Sequence, residues 1–334
     1  MAQTDSQTHG VDKTDTGKPR KPRHRQWGGA AFWLMVSVGG LVAGRLGHLH
    51  PRFDVFSQFG VQFIAMALAF CCALLFSRYK TLFGMAITFA LLAAYGAWPH
   101  LVSSQLQSPP YTMVAGEKLL RLAHFNTFKN NEDYAAIAAE VLRLDADVVS
   151  LVEMSTAKKM AVLPLLNAKY PYIYDCKGGR YCDMAIASIY PIIEADGEGE
   201  WIGAPYIRAT LGGDMAGVTI IGVHTTRFPF SRAQLKQVRE LVKKLETYTG
   251  EMVVMGDFNA TPFSRVTTTL EQGTNLKRLT ELPTWPSYVQ LPQLAIDHIF
   301  ASKAFRVVGN EQIGQSVGSD HFPILMTLAV KLAP

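Results

Sequence analysis

The sequence predicts a four-layer α/β sandwich, in which two packed, mostly antiparallel sheets are flanked by helices, preceded by three transmembrane helices. Hydrophobic residues make up 49% of the chain and charged residues only 18%, so it is more apolar and less charged than an average soluble protein. The apolar excess lies in the first hundred residues. Beyond about Lys118, short β-type runs alternate with amphipathic helical stretches bounded by Gly, Pro and Asn. This alternation predicts the sandwich.

The membrane anchor is predicted from three stretches that contain no Asp, Glu, Lys or Arg. Each is close to the roughly 20 residues that cross about 30 Å of hydrocarbon. The polar residues before them bury too little apolar surface to fold, so we expect a disordered tail there. The resulting divisions are a tail over 1–26, transmembrane helices over 27–44, 59–77 and 81–98, a linker over 99–117 and a catalytic domain over 118–331.

The charge pattern predicts the orientation of the anchor. The basic cluster from Lys18 to Arg25 directly precedes the first span, and the positive-inside rule places it in the cytoplasm. Arg78 and Lys80 then also lie inside, and the domain after the third span lies outside. We therefore expect a multi-pass protein of the cell inner membrane with a periplasmic or extracellular catalytic domain. The alternative is a cleaved signal peptide, but its apolar region is usually shorter than 18 residues.

The remaining composition limits partners and compartment. From residue 112 onward the chain carries 22 basic and 23 acidic residues, so it lacks the broad basic surface of a non-specific nucleic-acid binder. Cys176 and Cys182 bracket the short segment CKGGRYC. In an oxidising compartment such a pair can form a local disulfide, whereas two free thiols are the alternative because spacing alone does not fix the geometry.

The predicted elements of the domain place no Gly-rich phosphate loop after the first strand, which argues against dinucleotide and P-loop chemistry. Helices are predicted over 132–144, 156–167, 231–248 and 264–272. Strands are predicted over 119–126, 147–153, 184–192, 206–211, 218–225, 251–258, 296–301, 305–309 and 322–330.

Polar residues recur at the ends of otherwise apolar strands. Taken singly, each has an ordinary explanation as a turn former, a solvated strand end or a core histidine. Six such strand ends in one domain instead predict a shared site of hard oxygen ligands suited to Mg²⁺, with an acid/base pair beside it. The residues are Asn126, Glu153, His224, Asp257, Asn259, Asp297, Asp320 and His321.

Seven collinear segments resemble the endonuclease/exonuclease/phosphatase superfamily, which includes deoxyribonuclease-like, abasic-endonuclease-like and sphingomyelinase-like members. The resemblance covers about Leu119 to Leu328. It implies hydrolysis of a phosphoester by in-line attack of water. The matching segments are HFNTF (124–128), DVVSLVE (147–153), MAIASIYPI (184–192), GVHTT (222–226), GDFNATP (256–262), IDHIF (296–300) and GSDHFPI (318–324).

The resemblance also implies a metal site. Glu153 matches the principal Mg²⁺ ligand of the superfamily, supported by Asn126 and, from the other side, by Asp320. Mn²⁺ is a possible substitute.

The same resemblance implies the catalytic roles. His321 matches the catalytic histidine, and Asp297 matches the carboxylate that fixes its tautomer. Asp257 would contact or activate the water, Asn259 would hold a phosphate oxygen, and His224 would donate to the phosphate or to the leaving group.

Substrate contacts are weakly indicated. Arg180 and Arg227 are candidates for binding a substrate phosphate, with ordinary surface solvation as the alternative. Trp285 is a candidate for stacking on a base or head group, with core packing as the alternative. The usual Gly before the ASIYPI strand is replaced by Asp183 or Met184, and this departure leaves the substrate open.

We therefore expect a membrane-anchored, outward-facing Mg²⁺-dependent phosphodiesterase that acts on nucleic acid or on a lipid or small-molecule phosphodiester. Its partners would be a phosphodiester or phosphomonoester substrate and the lipid bilayer, and no protein partner is inferred. The alternative is a catalytically inactive binding or scaffold module. The presence of Glu153, Asp257 and His321 argues against that loss.

Overall fold

The computed structural model describes residues 24–74, 84, 86–88, 90–92, 94–95, 113–177, 181–289, 293–309 and 311–332. Most of the predicted tail and of the linker, and half of the third predicted span, lie outside these residues; the described half of that span is helical. The first helix begins at His24, three residues inside the predicted tail.

The N-terminal part is a tightly packed helical hairpin. It consists of helix α1 (His24–Arg45), two short 3-10 turns (Leu46–His48 and Pro51–Phe53), and helices α2 (Asp54–Ser57) and α3 (Gly60–Leu74). A side chain at Gly40 would overlap the ring of Phe63, and one at Gly44 would press on the backbone of Ser57. Gly40 and Gly44, spaced by four, thus let α1 approach α3 and α2 closely, as small residues do in membrane helix pairs.

The number of membrane spans differs from the prediction. Among the described residues, one helix, Gly29–His48, is long and apolar enough by itself to cross a bilayer. A second candidate arises only if Pro51–Ser57 and Gly60–Ala73, which meet at a bend of 60°, count as one span. The expectation of three complete spans is therefore not confirmed.

The globular part contains four helices and thirteen strands in the described residues. The helices are α4 (Tyr134–Arg143), α5 (Thr156–Leu166), α6 (Ser231–Leu245) and α7 (Arg265–Gly273). The strands are β1 (Lys118–Asn126), β2 (Val148–Val152), β3 (Tyr172–Asp175), β4 (Met184–Ser188), β5 (Ile192–Glu198), β6 (Tyr206–Leu211), β7 (Val218–His224), β8 (Glu251–Asp257), β9 (Lys277–Arg278), β10 (Asp297–Ala301), β11 (Phe305–Val307), β12 (Gln312–Ile313) and β13 (Ile324–Val330).

The strands form two sheets, as the sequence predicts. The first has the order β11-β13-β1-β2-β4-β3 with β12 also paired to β13, and the second has the order β5-β6-β7-β8-β10-β9. Each sheet holds one parallel pair, β1 with β2 and β7 with β8, among antiparallel neighbours. The described residues thus form a mostly antiparallel α/β sandwich.

The core lies between the sheets and under the helices on both outer faces. Leu122 and Ile186 of the first sheet share a buried cluster with Met255 of the second. Helices α4 and α5 cover the outer face of the first sheet through Ile137 and Val162. A third cluster buries α6 and α7 against the second sheet. Apolar burial on both faces of each sheet fixes the strand register.

Some predicted boundaries are wrong. The strand predicted over 184–192 ends at Ser188, because the side chain of Ser188 bonds the backbone of Tyr190 and turns the chain before Pro191. A new strand, β5, then begins in the other sheet. The predicted helix over 231–248 ends at Leu245. Strands β3, β9 and β12 were not predicted, since they have two to four residues and lack a buried apolar alternation.

Candidate active site

The strand register brings the predicted site residues to one edge of the sandwich. In the first sheet Asn126 aligns with the last residue of β2, directly before Glu153. In the second sheet His224 aligns with Asp257, and Asp257 aligns with Asp297. Because the carboxyl ends of β1, β2, β7 and β8 point the same way, residues far apart in sequence converge.

The best-defined contact of the site joins His321 and Asp297. Nδ1 of His321 lies 2.8 Å from Oδ2 of Asp297. The hydroxyl of Thr284 donates to the same oxygen at 2.5 Å, and Nε2 of His124 lies 3.3 Å from the other carboxylate oxygen. All four side chains are buried. The carboxylate therefore fixes the orientation of the His321 ring from a rigid position.

The electrostatics favour a charged His321. Burial by itself would lower the pKa of His321, but the carboxylates of Asp297 and Asp257 outweigh burial and raise the pKa to about 10. Burial would likewise raise the pKa of Asp297, yet His321 and the bond from His124 hold it well below its usual range. At neutral pH the pair is an imidazolium beside a carboxylate.

The pKa of Asp257 shifts in the direction opposite to that of Asp297. Burial raises the pKa of Asp257, and the nearby Asp297 carboxylate raises it further, while His321 and His224 partly offset both effects. Its Oδ2 lies 3.7 Å from Nε2 of His321. A buried carboxylate with a raised pKa is suited to accept a proton.

The oxygen atoms suited to a divalent cation lie around Asn126. The amide nitrogen of Asn126 is 3.2 Å from Oε1 of Glu153 and 3.0 Å from Oδ2 of Asp257. Its oxygen accepts a bond from the backbone N–H of Phe128. The carboxylates of Glu153 and Asp257 provide hard oxygen ligands of the kind that Mg²⁺ prefers, whereas the Asn126 amide directs its nitrogen toward them. The residues present therefore fit the metal that the sequence predicts.

Asp320, the third predicted ligand, directly precedes His321 and contacts Trp285. Its Oδ2 accepts a bond of 3.2 Å from the indole nitrogen of Trp285. Its Oδ1 is buried and has no hydrogen-bond partner among the residues that the structure describes. A buried carboxylate oxygen without a partner is compatible with binding a cation, and no described contact joins Asp320 to Glu153.

A second group of possible ligand atoms consists of Asp257, Asp297 and His321, which lie within 4.8 Å of one another. Nδ1 of His321 is already bonded to Asp297. A protonated imidazole carries no lone pair for a metal. We therefore interpret this trio as the acid/base part of the site.

The backbone is unusual at the site. Phe128, Glu153 and Asn259 have φ angles of 55°, 58° and 46°, in the left-handed region that non-glycine residues rarely adopt. Such conformations persist where surrounding contacts impose them and are common at functional sites. Here they turn each chain sharply at a strand end and direct Glu153 and Asn259 into the site.

The loop that carries Asn259 is held in place by hydrogen bonds with Asp257, Thr225 and Gln234. The backbone N–H of Asn259 donates to Oδ1 of Asp257 at 2.8 Å, and its side-chain amide donates to the carbonyl of Thr225. The amide of Gln234 on α6 donates to the carbonyls of Phe258 and Asn259.

The mouth of the site is formed by His224 and Glu153. Nε2 of His224 lies 3.8 Å from Oε1 of Glu153 and 3.7 Å from Oδ2 of Asp257. The His224 and Glu153 side chains are 22% and 19% exposed, while Asp257 and His321 are almost inaccessible. A phosphate entering from solvent would meet the exposed pair first.

The weaker substrate candidates have different outcomes. Arg180 lies outside the described residues. Arg227 is exposed beside the mouth. Trp285 is half-buried and packs edge-on against Phe228, with ring centroids 6.2 Å apart.

The two cysteines lie beside the site. Cys176 and Cys182 are paired as a disulfide, with Cα atoms 5.5 Å apart. They line a cavity of about 760 Å³ together with Met154 and Asp183. Met154 follows Glu153 directly, so this cavity adjoins the mouth.

Three supporting residues were not predicted. His124 has the apolar sequence surroundings of an ordinary strand residue. Its role is visible only from the 3.3 Å distance between its Nε2 and a carboxylate oxygen of Asp297. Ser319 bridges two parts of the site, since its hydroxyl donates to the carbonyl of Asn126 and accepts from the backbone N–H of His321. Lys158 is fully buried and donates to the carbonyls of Phe128 and Glu153. Lys158 lies in the first turn of α5, where the helix dipole disfavours a positive charge. This unusual position is the sequence feature that could have identified it.

Solved structures of the same fold resemble the chain at low sequence identity, which shows the fold alone. An endonuclease/exonuclease/phosphatase from Bacteroides vulgatus is 18% identical with a TM-score of 0.54, over 64% of this chain and 99% of that one. Sphingomyelinase C from Streptomyces griseocarneus is 16% identical with a TM-score of 0.50, over 63% and 99%. A double mutant of beta toxin from Staphylococcus aureus with bound magnesium ions is 18% identical with a TM-score of 0.50, over 64% and 100%.

No curated protein sequence matches the chain. The profile of the Endonuclease/Exonuclease/phosphatase family matches residues 123–321. This match covers more than half of the chain and contains every strand end that contributes to the site. The chain belongs to the Endonuclease/Exonuclease/phosphatase family.

Proposed function

We propose that the protein is a membrane-anchored, Mg²⁺-dependent phosphoester hydrolase, with phosphodiesters as its main substrates. The observation that carries this proposal is the buried His321–Asp297 ion pair next to the oxygen ligands around Asn126. A cationic acid and a cluster of carboxylates within one cleft are what phosphoester hydrolysis needs. Family membership supports the same reaction class.

In this proposal Glu153 and Asn126 hold the metal, with Asp320 as the third candidate. The metal, when bound, supplies positive charge for the phosphate oxygens as they become more negative in the transition state. A solved structure of the same fold contains magnesium. Mn²⁺ is expected to substitute because it accepts the same oxygen ligands.

The protein groups would divide the remaining work. Asp257 accepts a proton from water as the water oxygen attacks phosphorus. The raised pKa of the Asp257 carboxyl suits that role. His321 donates a charged hydrogen bond to a phosphoryl oxygen, while Asn259 holds a second one. His224 protonates the leaving oxygen as its bond to phosphorus breaks. Water and the ester are thus converted to an alcohol and a phosphate product, and no other reactant is needed.

The localisation in this proposal follows the anchor. The apolar helix Gly29–His48 would cross the inner membrane, with two further spans after it, and the catalytic domain would face the periplasm or the exterior. The paired Cys176 and Cys182 are in keeping with an oxidising compartment.

Hydrolysis by full-length protein in detergent tests the proposal. The substrates are bis(p-nitrophenyl) phosphate, phospholipid, DNA and RNA. We expect EDTA to stop turnover and Mg²⁺ or Mn²⁺ to restore it. Glu153→Gln and His321→Ala should each lower kcat by at least about 100-fold, with unchanged circular dichroism. The exposed Asp214→Asn serves as a matched control. Turnover that continues in EDTA would disprove the metal-dependent mechanism, and no turnover on any ester would favour an inactive binding module.

A further inference from the structure

The catalytic domain is bonded directly to the segment between the two apolar helices. We call residues 46–59 the connecting segment and residues 259–265 the site loop. The backbone N–H of Thr261 donates to the side chain of Gln58 at 2.6 Å, and that of Arg265 donates to Asp54 at 2.8 Å. The hydroxyl of Ser264 donates to the other carboxylate oxygen of Asp54 at 2.6 Å.

These contacts are buried and specific. Asp54 is 2% exposed and Gln58 is 1% exposed. Asp54 accepts from the first residue of α7, where the helix dipole stabilises a carboxylate. The guanidinium of Arg265 in turn donates to the carbonyl of Gly47 at 2.7 Å. A buried carboxylate is costly without such partners, so the docking is built into the fold.

The loop held in this way carries part of the active site. Thr261 lies two residues after Asn259 and four after Asp257. If the connecting segment moved away, the buried N–H groups of Thr261 and Arg265 would lose their acceptors. Each N–H would then bond water, and the loop would lose two of the contacts that hold it in place. The connecting segment therefore helps to position the loop that faces the substrate.

Aromatic rings join the same segment to the other wall of the mouth. Phe59, directly before α3, packs edge-on against Phe228, with centroids 5.9 Å apart. Phe228 packs against Trp285, whose indole nitrogen bonds Asp320. The rings of Phe59, Phe228 and Trp285 thus form a chain of contacts from the start of α3 to Asp320, the residue before His321. These contacts place the mouth of the site close to the start of α3.

The surface at this level is apolar. Leu49, Phe53 and Phe56 of the connecting segment are exposed, and so is Phe230 at the start of α6. Helix α6 contacts the turn Pro51–Phe53. Exposed apolar side chains that adjoin apolar helices form the kind of patch that marks a membrane or protein interaction site. The surface is continuous with α1 and α3, and a bilayer is the occupant that covers all three.

We infer that the connecting segment is a positioning element that holds the mouth of the site against the bilayer surface, and that the substrate is a phosphoester of a membrane lipid. This inference rests on the proposed hydrolase function. The headgroup layer on each side of the hydrocarbon is roughly 5–8 Å thick, so a mouth just above the start of α3 reaches the phosphates of lipids that remain in the bilayer. The near-neutral catalytic domain, with 22 basic and 23 acidic residues from 112 onward, offers no comparable surface for nucleic acid.

The test uses the full-length protein in liposomes and compares Asp54→Ala with Asp214→Ala. Asp214 is exposed and pairs with Lys118 far from the mouth. The substrates are a phospholipid with a nitrophenyl phosphodiester headgroup, soluble bis(p-nitrophenyl) phosphate and single-stranded DNA. We expect Asp54→Ala to lower kcat/KM on the lipid by at least about tenfold, because the mouth would no longer be held at the level of the lipid phosphates. The soluble ester should lose less than about threefold, since Gln234 and Thr225 still hold the loop. The control variant should match the wild type on both.

Three outcomes would overturn the inference while leaving hydrolase function intact: equal losses on lipid and soluble ester, no loss on the lipid, or a wild-type preference for DNA. Absence of turnover on every ester would instead refute the proposed function. A second measurement then still tests the membrane placement. A fluorophore on Phe230→Cys should be quenched by headgroup spin-labelled lipid. One on Lys118→Cys should not be, since Lys118 begins the nine-residue strand that ends at Asn126, about 25 Å away. Equal quenching at both positions would overturn the inference.

Discussion

Nδ1 of His321 lies 2.8 Å from Oδ2 of Asp297, and this contact determines the charge of the site. The same carboxylate accepts the hydroxyl of Thr284 and lies beside His124. Asp297 is therefore held from three sides, by His321, Thr284 and His124, and is itself 1% exposed. Its effect on the reaction passes through His321, which makes it a positioning residue.

Asp297→Asn is expected to lower kcat by about 10³-fold or more with little change in KM, because an amide favours the wrong tautomer of the histidine. The measurement is steady-state hydrolysis of bis(p-nitrophenyl) phosphate, with circular dichroism as a check of folding. Thr284→Val removes one support but keeps the carboxylate, so it should cost about tenfold or less. An Asp297→Asn enzyme with wild-type kcat would contradict the assigned role.

Lys158 is expected to stabilise the metal-binding edge. It is 0% exposed, and its ammonium donates to the carbonyls of Phe128 and Glu153 at 2.6 and 3.1 Å. Burial lowers its pKa to about 8, although Glu153 and Asp183 favour the charged form. Lys158→Met keeps the volume but removes the charged hydrogen bonds to these two carbonyls. It should cost about 3 kcal/mol of unfolding free energy and weaken Mg²⁺ binding.

The control for that variant is Lys169→Met. Lys169 pairs with the exposed Asp145 at the surface, so its loss should cost less than about 1 kcal/mol. Urea unfolding in detergent, with and without Mg²⁺, measures both effects. If Lys158→Met were as stable as Lys169→Met and bound Mg²⁺ normally, Lys158 would have no supporting role.

Glu311 should make stability depend on pH. Burial raises its pKa from 4.5 to about 7, while bonds from the backbone N–H groups of Glu281 and Leu282 act in the opposite direction. Glu281 also raises the pKa and Arg278 lowers it. Because the folded state holds the proton more tightly, the associated stability is fully present below pH 4.5 and is lost as pH rises to 7. The change is on the order of 3 kcal/mol.

Glu311→Gln remains neutral, so the difference between its unfolding free energies at pH 5 and pH 7.5 should be smaller than in the wild type. Glu246→Gln, on the exposed side of α6, controls for the loss of one carboxyl. Parallel pH profiles for the wild type and Glu311→Gln would show that Glu311 does not hold a proton in the folded protein.

The sequence predicted much of the sandwich because its buried strands have clear apolar runs. The site followed from the same feature, since Glu153, Asp257 and Asp297 interrupt or end those runs with groups that are costly to bury. Their convergence then depends only on strand direction and register. The short edge strands β9 and β12 were missed because a two-residue strand has no periodicity to detect.

Long-range polar contacts were the part that sequence could not predict. Asp54 begins the short helix α2 between two apolar helices and accepts a hydrogen bond from Ser264, 210 residues away. An aspartate in such a position is ordinary, and nothing in its neighbours indicates a distant partner. His124 was missed for a related reason, because only the packing of the first sheet against the second brings it to Asp297.

The orientation of the chain gives the last prediction. The basic residues Lys18 to Arg25 precede the first apolar helix, and the positive-inside rule retains them in the cytoplasm. An alkaline phosphatase reporter folds only in an oxidising compartment, where its disulfides form. Fused after residue 112, it should be active, and fused at Tyr79 it should be inactive.

Immunoblots that show equal amounts of both fusions serve as the control, because low expression would imitate the inactive result. The thiols of Cys176 and Cys182 give an independent check of the same orientation. Protein prepared from the cell envelope without reductant should resist alkylation at both positions. The reversed reporter pattern would place the catalytic domain in the cytoplasm. There the reducing environment would keep both thiols free, and an outer-leaflet lipid could not be the substrate.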